Sequence, residues 1–593
     1  MPQNNLPEWD LSDLFPSLES PEYKAELENI LKAKDDFLKY KDAFLNNDFS
    51  PADLLKMIKD YEQLEIRTLH IYAYSHFQYD VDTTNEFVKA EHEKAKKLVT
   101  DIATELEFFS QGLKNMPHDV FEEMKKASEL SEYKRYLEVL KIYEPYTKSE
   151  REEQILTMKS LYGSQAWGQF HTELSSGMDF GTLMVDGKEE KMTPARLGNI
   201  ITNSQDQNLR CAAYEAGRKP FKENSHLFSF AFNAVVSDFE MDSMQIRGYT
   251  SGLHRGTLGE EVTETHVENM RSLLEEKIPV FQDYYKWKKS QLGVEKMHTY
   301  DLSAPLSSKR PKLTFDEAKD YVLSCYGNFS EEFRSHASRF FDEKWIDARD
   351  SGTKYAGAYS WSMNKHPYIL LNFQPSIQQA MTMIHELGHG IHALLSSKGQ
   401  PFLIRDTSKV IAETASQFSE MLLLDYFETV LDDKDVVKDL FAAHIDDVLY
   451  CLGSTLTVTA FEIETHKKSL TEGISKDVLN NLWENLIKNL YGDAVELTEY
   501  DRYSWSRIPH IFQSPYYYFT YPMSLAVVLT LYELYLEDKA TFVKNYTKFL
   551  EAGGSIATPE LIESSFGITF GDRAFFERAF RVVERMIEKV KTM

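Results

Sequence analysis

The stretch Met381–Leu395 reads MTMIHELGHGIHALL, so three histidines and one glutamate sit inside an otherwise apolar run. Such a run is driven out of water, and ionisable groups that go with it are costly unless paired, hydrogen-bonded or bound to metal. Whatever this chain folds into must bring partners to His385, Glu386, His389 and His392.

Local signals set the frame. Ser376 with Gln379 three residues on is a capping-box pattern, and Gly399 ends the run. A helix over about Ile377–Lys398 is expected. On it His385 and His389 lie one turn apart on one face, with Glu386 beside them. This is the HExxH spacing, in which two imidazoles hold one zinc ion and a carboxylate takes a proton from its bound water. His392 shares the face at i+7, but it stands about 10 Å along the axis from His385, too far to share the ion easily. A third histidine six residues after the second would mark the metzincins; that position is Leu395.

The other source of a third ligand is an acid on a later helix. Val410–Leu424 reads as such a helix, with Glu413, Gln417 and Glu420 on one face. Glu413 comes 24 residues after His389, enough for a helix end, a loop and an antiparallel return. It is the expected third ligand, with Gln417 or Glu420 orienting a ligand from behind.

Elsewhere helical periodicity dominates. Ser50-Pro51 is an N-cap and first-turn pair ahead of a face made by Leu54, Leu55, Ile58, Tyr61 and Leu64. Further helices are expected over Asn85–Leu113, Ser149–Ser176 and Glu260–Leu292. Asp186-Gly187 between short strand-like runs is a two-residue hairpin signal. Ala358–Met363 and Tyr368–Phe373, joined by Asn364–Pro367, read as a second hairpin just before the HExxH helix. The fold class is therefore mostly α, with a small antiparallel sheet beside that helix. Expected regions are 1–115 and 116–200, both helical and the latter ending in a hairpin, and a catalytic domain over 201–593.

With 66 Lys and Arg against 93 Asp and Glu, the formal charge is −27. That excess repels phosphate backbones and anionic lipid, so neither nucleic acid nor a membrane is an expected partner. No apolar run approaches the roughly 20 residues of a membrane span, and the N-terminus lacks a secretory pattern. Three scattered cysteines fit no disulfide framework, and a cytoplasmic location is expected.

Arg507–Tyr521 holds His510 and four tyrosines. Hydrolysis of a peptide bond through an oxyanion needs neutral donors facing the metal, and these side chains can supply them. Together, His385-Glu-Leu-Gly-His389, Glu413-Thr-Ala-Ser-Gln417, and His510 with its tyrosines resemble the thimet oligopeptidase-like zinc metallopeptidases, above all the oligoendopeptidase F branch. Tyr300-Asp-Leu302 and Gly357-Ala-Tyr-Ser360 before the strand Pro367–Phe373 extend the resemblance. It implies a helical clamshell with a deep central channel and hydrolysis of short unstructured peptides with one zinc per chain. It carries over His385, His389 and Glu413 as ligands and Glu386 as general base. It also implies His510 and a Tyr-x-x-Tyr pair, Tyr518 and Tyr521, as oxyanion donors, with Tyr517 the alternative register. Tyr359, Ser360 and Tyr517 are expected substrate contacts. Monomer and homo-oligomer both stay open. A carboxypeptidase or dipeptidyl carboxypeptidase, which needs a cation such as Arg502 or Arg507, is the alternative enzyme. A non-catalytic peptide-binding zinc protein is the alternative from another class.

Overall fold

In a computed structural model, described over residues 6–309, 311–471 and 473–593, most of the chain is helical. The first five residues of the expected N-terminal region lie outside the described residues. Ser50 caps the helix Pro51–Val81 in a reciprocal box with Asp53, and Asn85 caps Glu86–Lys114. These two helices and Pro21–Leu38 close on an aromatic core that includes Phe37, Phe44 and Phe109. Among the described residues no helix is long and apolar enough to cross a membrane.

Two expected helices begin or continue differently. Ser149–Ser176 is two helices, Glu150–Ser160 and Ser164–Ser176, because the chain turns at Gly163. The helix expected from Glu260 starts at Glu264, since Thr263 accepts the His266 N–H and supplies the cap. The first hairpin pairs Thr182–Val185 with Lys188–Lys191, and both turn residues take positive φ, Asp186 at 51° and Gly187 at 77°. That is the primed turn that Asp-Gly favours.

The second hairpin pairs Tyr359–Trp361 antiparallel with Tyr368–Leu370, in the register Ser360 opposite Ile369. A third strand, Ile346–Asp347, joins in parallel on the far side of Tyr368–Leu370. Tyr359–Trp361 is thus an edge strand. Below the sheet, Lys354 Nζ lies 2.6 Å from Asp347 Oδ1, with both side chains almost fully buried. Lys354 Nζ also donates to the carbonyls of Arg349 and Leu371, so this buried cation has its hydrogen bonds met. The N-terminal region braces the hairpin, where the Tyr359 hydroxyl donates to Asp80 Oδ2 at 2.8 Å, and also the turn after the HExxH helix, where Leu403 N–H donates to Glu62.

Candidate metal centre and active site

The HExxH helix runs Ile377–Gly399, and the Ser376 hydroxyl accepts the Gln379 N–H at 3.3 Å. The reciprocal half of the expected capping box is not found among the described residues. Behind it lies the helix Thr414–Val430. His385 meets Glu420 while the later His389 meets the earlier Glu413, so the two helices run in opposite directions. Gly388 permits the approach. A Cβ there would stand 2.5 Å from the Ala415 carbonyl oxygen and 2.6 Å from Ser416 Cα. Tyr326 ties the pair together, its hydroxyl reaching both Ile384 O and Ser419 Oγ.

Glu413 does not sit inside one helix as expected. A short helix, Lys409–Ala412, ends before it, and Glu413 takes φ −83° and ψ 2° before Thr414–Val430 begins. This break changes the direction of the side chain. Glu413 Oε2 lies 3.3 Å from His389 Nε2 and 3.5 Å from His385 Nε2. Ligands at about 2.1 Å around a tetrahedral ion are separated by about 3.4 Å. The donor set, two imidazoles and a carboxylate with their ligand atoms all within 4.8 Å of one another, fits a single zinc-sized cation.

The surroundings orient these atoms. His385 Nδ1 donates to Glu420 Oε1 at 2.5 Å, which leaves Nε2 for the cluster. Ser416 Oγ donates to Glu413 Oε2 at 2.8 Å. Of the amide and the acid expected behind the ligands, Glu420 makes the contact; Gln417 Oε1 is buried without a hydrogen-bond partner. Burial pulls His385 down, but the Glu420 hydrogen bond and the nearby carboxylates outweigh it, leaving the imidazole at about 9. Burial raises Glu413, yet His389, His385 and Ser416 together bring it to about 2.

Glu386 is 7% exposed, and burial, its largest influence, pushes its carboxyl up. It faces a cavity of about 480 Å³ shared with His385, His389, Tyr359 and Ser360. Ser360 and the edge strand are therefore at the site. The Tyr359 hydroxyl donates its proton to Asp80, which leaves only its acceptor side for a ligand. His392 lines the same cavity but stands outside the three-residue cluster; burial, then His389, hold it down to about 4, so it is neutral.

Lys409–Ala412 packs against the helix Thr520–Glu537, whose first turn ends the aromatic segment. His510 begins a short helix, His510–Gln513, and burial lowers its pKa. Its Nε2 lies 3.5 Å from the Tyr521 hydroxyl. Tyr517 stacks on the His510 ring, and Lys409 Nζ lies 4.9 Å from the centre of the Tyr517 ring. Tyr521 is 36% exposed, and the Glu413 charge acts on its phenol, which burial raises to about 12. Tyr518 turns instead toward a second cavity. Sequence reasoning missed the support beneath. Tyr516 holds φ 59°, and its N–H donates at 2.7 Å to the fully buried Glu462. Nothing in a tyrosine announces positive φ. Arg502, one expected carboxylate binder, is engaged with Asn481 and Glu484.

Comparisons with known proteins agree with this geometry. Residues 200–582 match the family described as Peptidase family M3, and residues 113–180 match Oligopeptidase F. The chain is 26% identical to the Oligoendopeptidase F homolog of Borreliella burgdorferi over 99% of this chain and 98% of that protein. It is 24% identical to Oligopeptidase PepF of Bacillus subtilis over 99% and 87%. A solved chain from Chlamydophila abortus superposes at TM-score 0.87, with 24% identity and coverage of 100% and 99%. Oligoendopeptidase-F from Enterococcus faecium superposes at 0.72, with 20% identity and coverage of 96% and 98%. With well over half its length matched, the chain belongs to peptidase family M3 and is a metalloendopeptidase.

Proposed function

We propose that this protein is a zinc-dependent endopeptidase that hydrolyses short oligopeptides, with one zinc per chain held by His385, His389 and Glu413. The observation that carries the reading is the convergence of both Nε2 atoms on one oxygen of Glu413 beside a cavity that also exposes Glu386. When bound, zinc would supply a Lewis acid and lower the pKa of a water to roughly 7. Glu386 would take the proton from that water and pass it to the leaving amine; its raised pKa suits both halves of the task. Tyr521 and neutral His510 would donate to the oxygen that gains charge, with Tyr518 beside them. Ser360 and the edge strand Tyr359–Trp361 would pair with an extended peptide through backbone groups, which favours loose sequence preference.

Three ligands beside an open cavity argue against a closed structural zinc. Relatives named oligoendopeptidase F and oligopeptidase support peptide substrates. Three free cysteines suit a reducing compartment, the cytoplasm. The test is incubation with a mixture of short peptides, with and without chelator, read by mass spectrometry. Internal cleavage that chelator abolishes and zinc restores is the expected result; cleavage unaffected by chelator overturns the reading.

A further inference from the structure

A second cavity, about 340 Å³, is lined by Arg218 and Arg507 together with Tyr214, Tyr450, Ser454 and Tyr518. The Arg218 guanidinium lies 3.1 Å from the centre of the Tyr214 ring, and its Nε is buried with no hydrogen-bond partner. Arg507 is exposed within this space and packs near Phe221. Among the described residues neither guanidinium makes an ion pair or a hydrogen bond. Other arginines in this part of the chain do: Arg210 lies 2.6 Å from Asp301 and Arg247 lies 2.8 Å from Glu153.

The carboxylates on the cavity wall are already occupied. Asp501 accepts from Tyr214, Thr299 and Thr498, and Asp446 accepts from Tyr284 and Lys288. Arg218 is the largest influence on Arg507 and, with burial, holds it down at about 10. Two like charges kept together without a counter-charge cost free energy that an anion between them would relieve. The wall also contains a π-helical turn, Tyr450–Ser454, a distortion common at functional sites. It leaves Tyr450 59% exposed, with both arginine charges acting on its phenol. Tyr518 connects this cavity to the active-site aromatics: its ring lies 5.0 Å from His510 and 5.5 Å from Tyr521.

We propose that Arg218 and Arg507 form a carboxylate subsite of the peptidase, taking either the free C-terminal carboxylate of the substrate or an acidic side chain near the cleaved bond. The proposal rests on the peptidase reading. Planar guanidinium forks match a carboxylate in two hydrogen bonds, and the hydroxyls of Tyr450 and Ser454 can complete its solvation. Such a subsite favours short peptides, whose end can lie in the second cavity while an internal bond lies at Glu386.

Three peptides of one core sequence test it: a free acid, its C-terminal amide, and an amide carrying one added glutamate. They are compared on the wild type, Arg218→Gln, Arg507→Gln and Arg507→Lys, with melting temperatures recorded. The expected result is that KM for the free acid rises about tenfold or more in both Gln variants, with kcat kept, with Arg507→Lys intermediate and the plain amide unaffected. A rise confined to the glutamate peptide assigns the site to an acidic side chain. Equal effects on all three peptides, or none, overturn the proposal. If Arg218→Gln does not fold, the exposed Arg507 decides alone. Should the wild type cleave no peptide, the peptidase reading fails. Calorimetric binding of the free acid and the amide to wild type and Arg507→Gln then decides the subsite: a preference for the acid that the variant loses supports it, and equal binding overturns it.

Discussion

The HExxH helix and the aromatic segment are held by different means. The first is regular backbone, capped by Ser376 and locked against its neighbour through Gly388. The atoms proposed as metal ligands are oriented by hydrogen bonds, from His385 to Glu420 and from Ser416 to Glu413. The second is a tight irregular turn in which Tyr516 takes positive φ, fastened by one hydrogen bond to a buried carboxylate. A Cβ on Gly252 would stand 2.8 Å from the Tyr516 ring and one on Gly256 2.9 Å from Tyr516 Cβ, so close packing of these glycines completes the hold. Metal ligands tolerate little error in distance, and a helix pair sets distance well. Oxyanion donors work by being in place before charge develops, and the bond from Tyr516 to Glu462 would hold the proposed ones there.

Breaking the helix pair should give the largest effect. Glu413→Ala removes one of the three proposed ligands and should weaken zinc binding by orders of magnitude; metal analysis of the purified variant showing full zinc would remove Glu413 from the site. Glu386→Gln should separate metal from base. Zinc content and peptide binding are expected to stay, while turnover falls by about 10² or more. Near wild-type turnover would exclude Glu386 as the base.

The aromatic segment should answer next. Loss of one oxyanion donor typically lowers the rate by about 10² to 10³. Tyr521→Phe is expected to do so through kcat, with KM and melting temperature nearly unchanged. Tyr518→Phe should act less and Tyr517→Phe least, because Tyr517 packs between His510 and Lys409. The reverse order would place the other register at the metal. Glu420→Gln tests the support beneath the ligands. It should weaken zinc binding by about 10- to 100-fold without altering cleavage at saturating zinc. An unchanged zinc dissociation constant would make the contact with His385 incidental.

The smallest effect belongs to the turn. Burial pushes Glu462 up to about 8, above the ordinary carboxyl range near 4.5. A carboxyl whose pKa rises on folding binds its proton more tightly in the folded state. Its contribution is whole below about 4.5 and is lost as pH climbs toward 8. Glu462→Gln keeps an acceptor for the Tyr516 N–H, so this variant should lose less melting temperature than the wild type between pH 5 and pH 8. Parallel curves would show that Glu462 does not titrate in that window.

Much of the metal site was legible because its information is local. The capped, apolar helix and the i, i+4 histidines need only a 3.6-residue period. Glu413 followed from the loop length needed to bring a second helix back. Its break between two helices was not legible, because Val410–Leu424 is good helical sequence and packing against His389 decided otherwise. Of Gln417 and Glu420, the sequence allowed either behind the ligands. Only the antiparallel crossing at Gly388 selects Glu420 for His385.

By itself the sequence determined the elements: a mostly helical chain, two hairpins, one of them just before the HExxH helix, and an HExxH helix whose polar residues required partners. Local propensity, capping and periodicity act over a few residues, so they can be read in order along the chain. The tertiary structure alone decided which distant groups meet. Ile346–Asp347 joins the hairpin in parallel, Asp80 claims the Tyr359 hydroxyl, and Arg218 comes to Arg507 from nearly 300 residues away. Such contacts depend on how whole faces pack. No short window of residues records them, because the free energy that selects them is shared across the entire core.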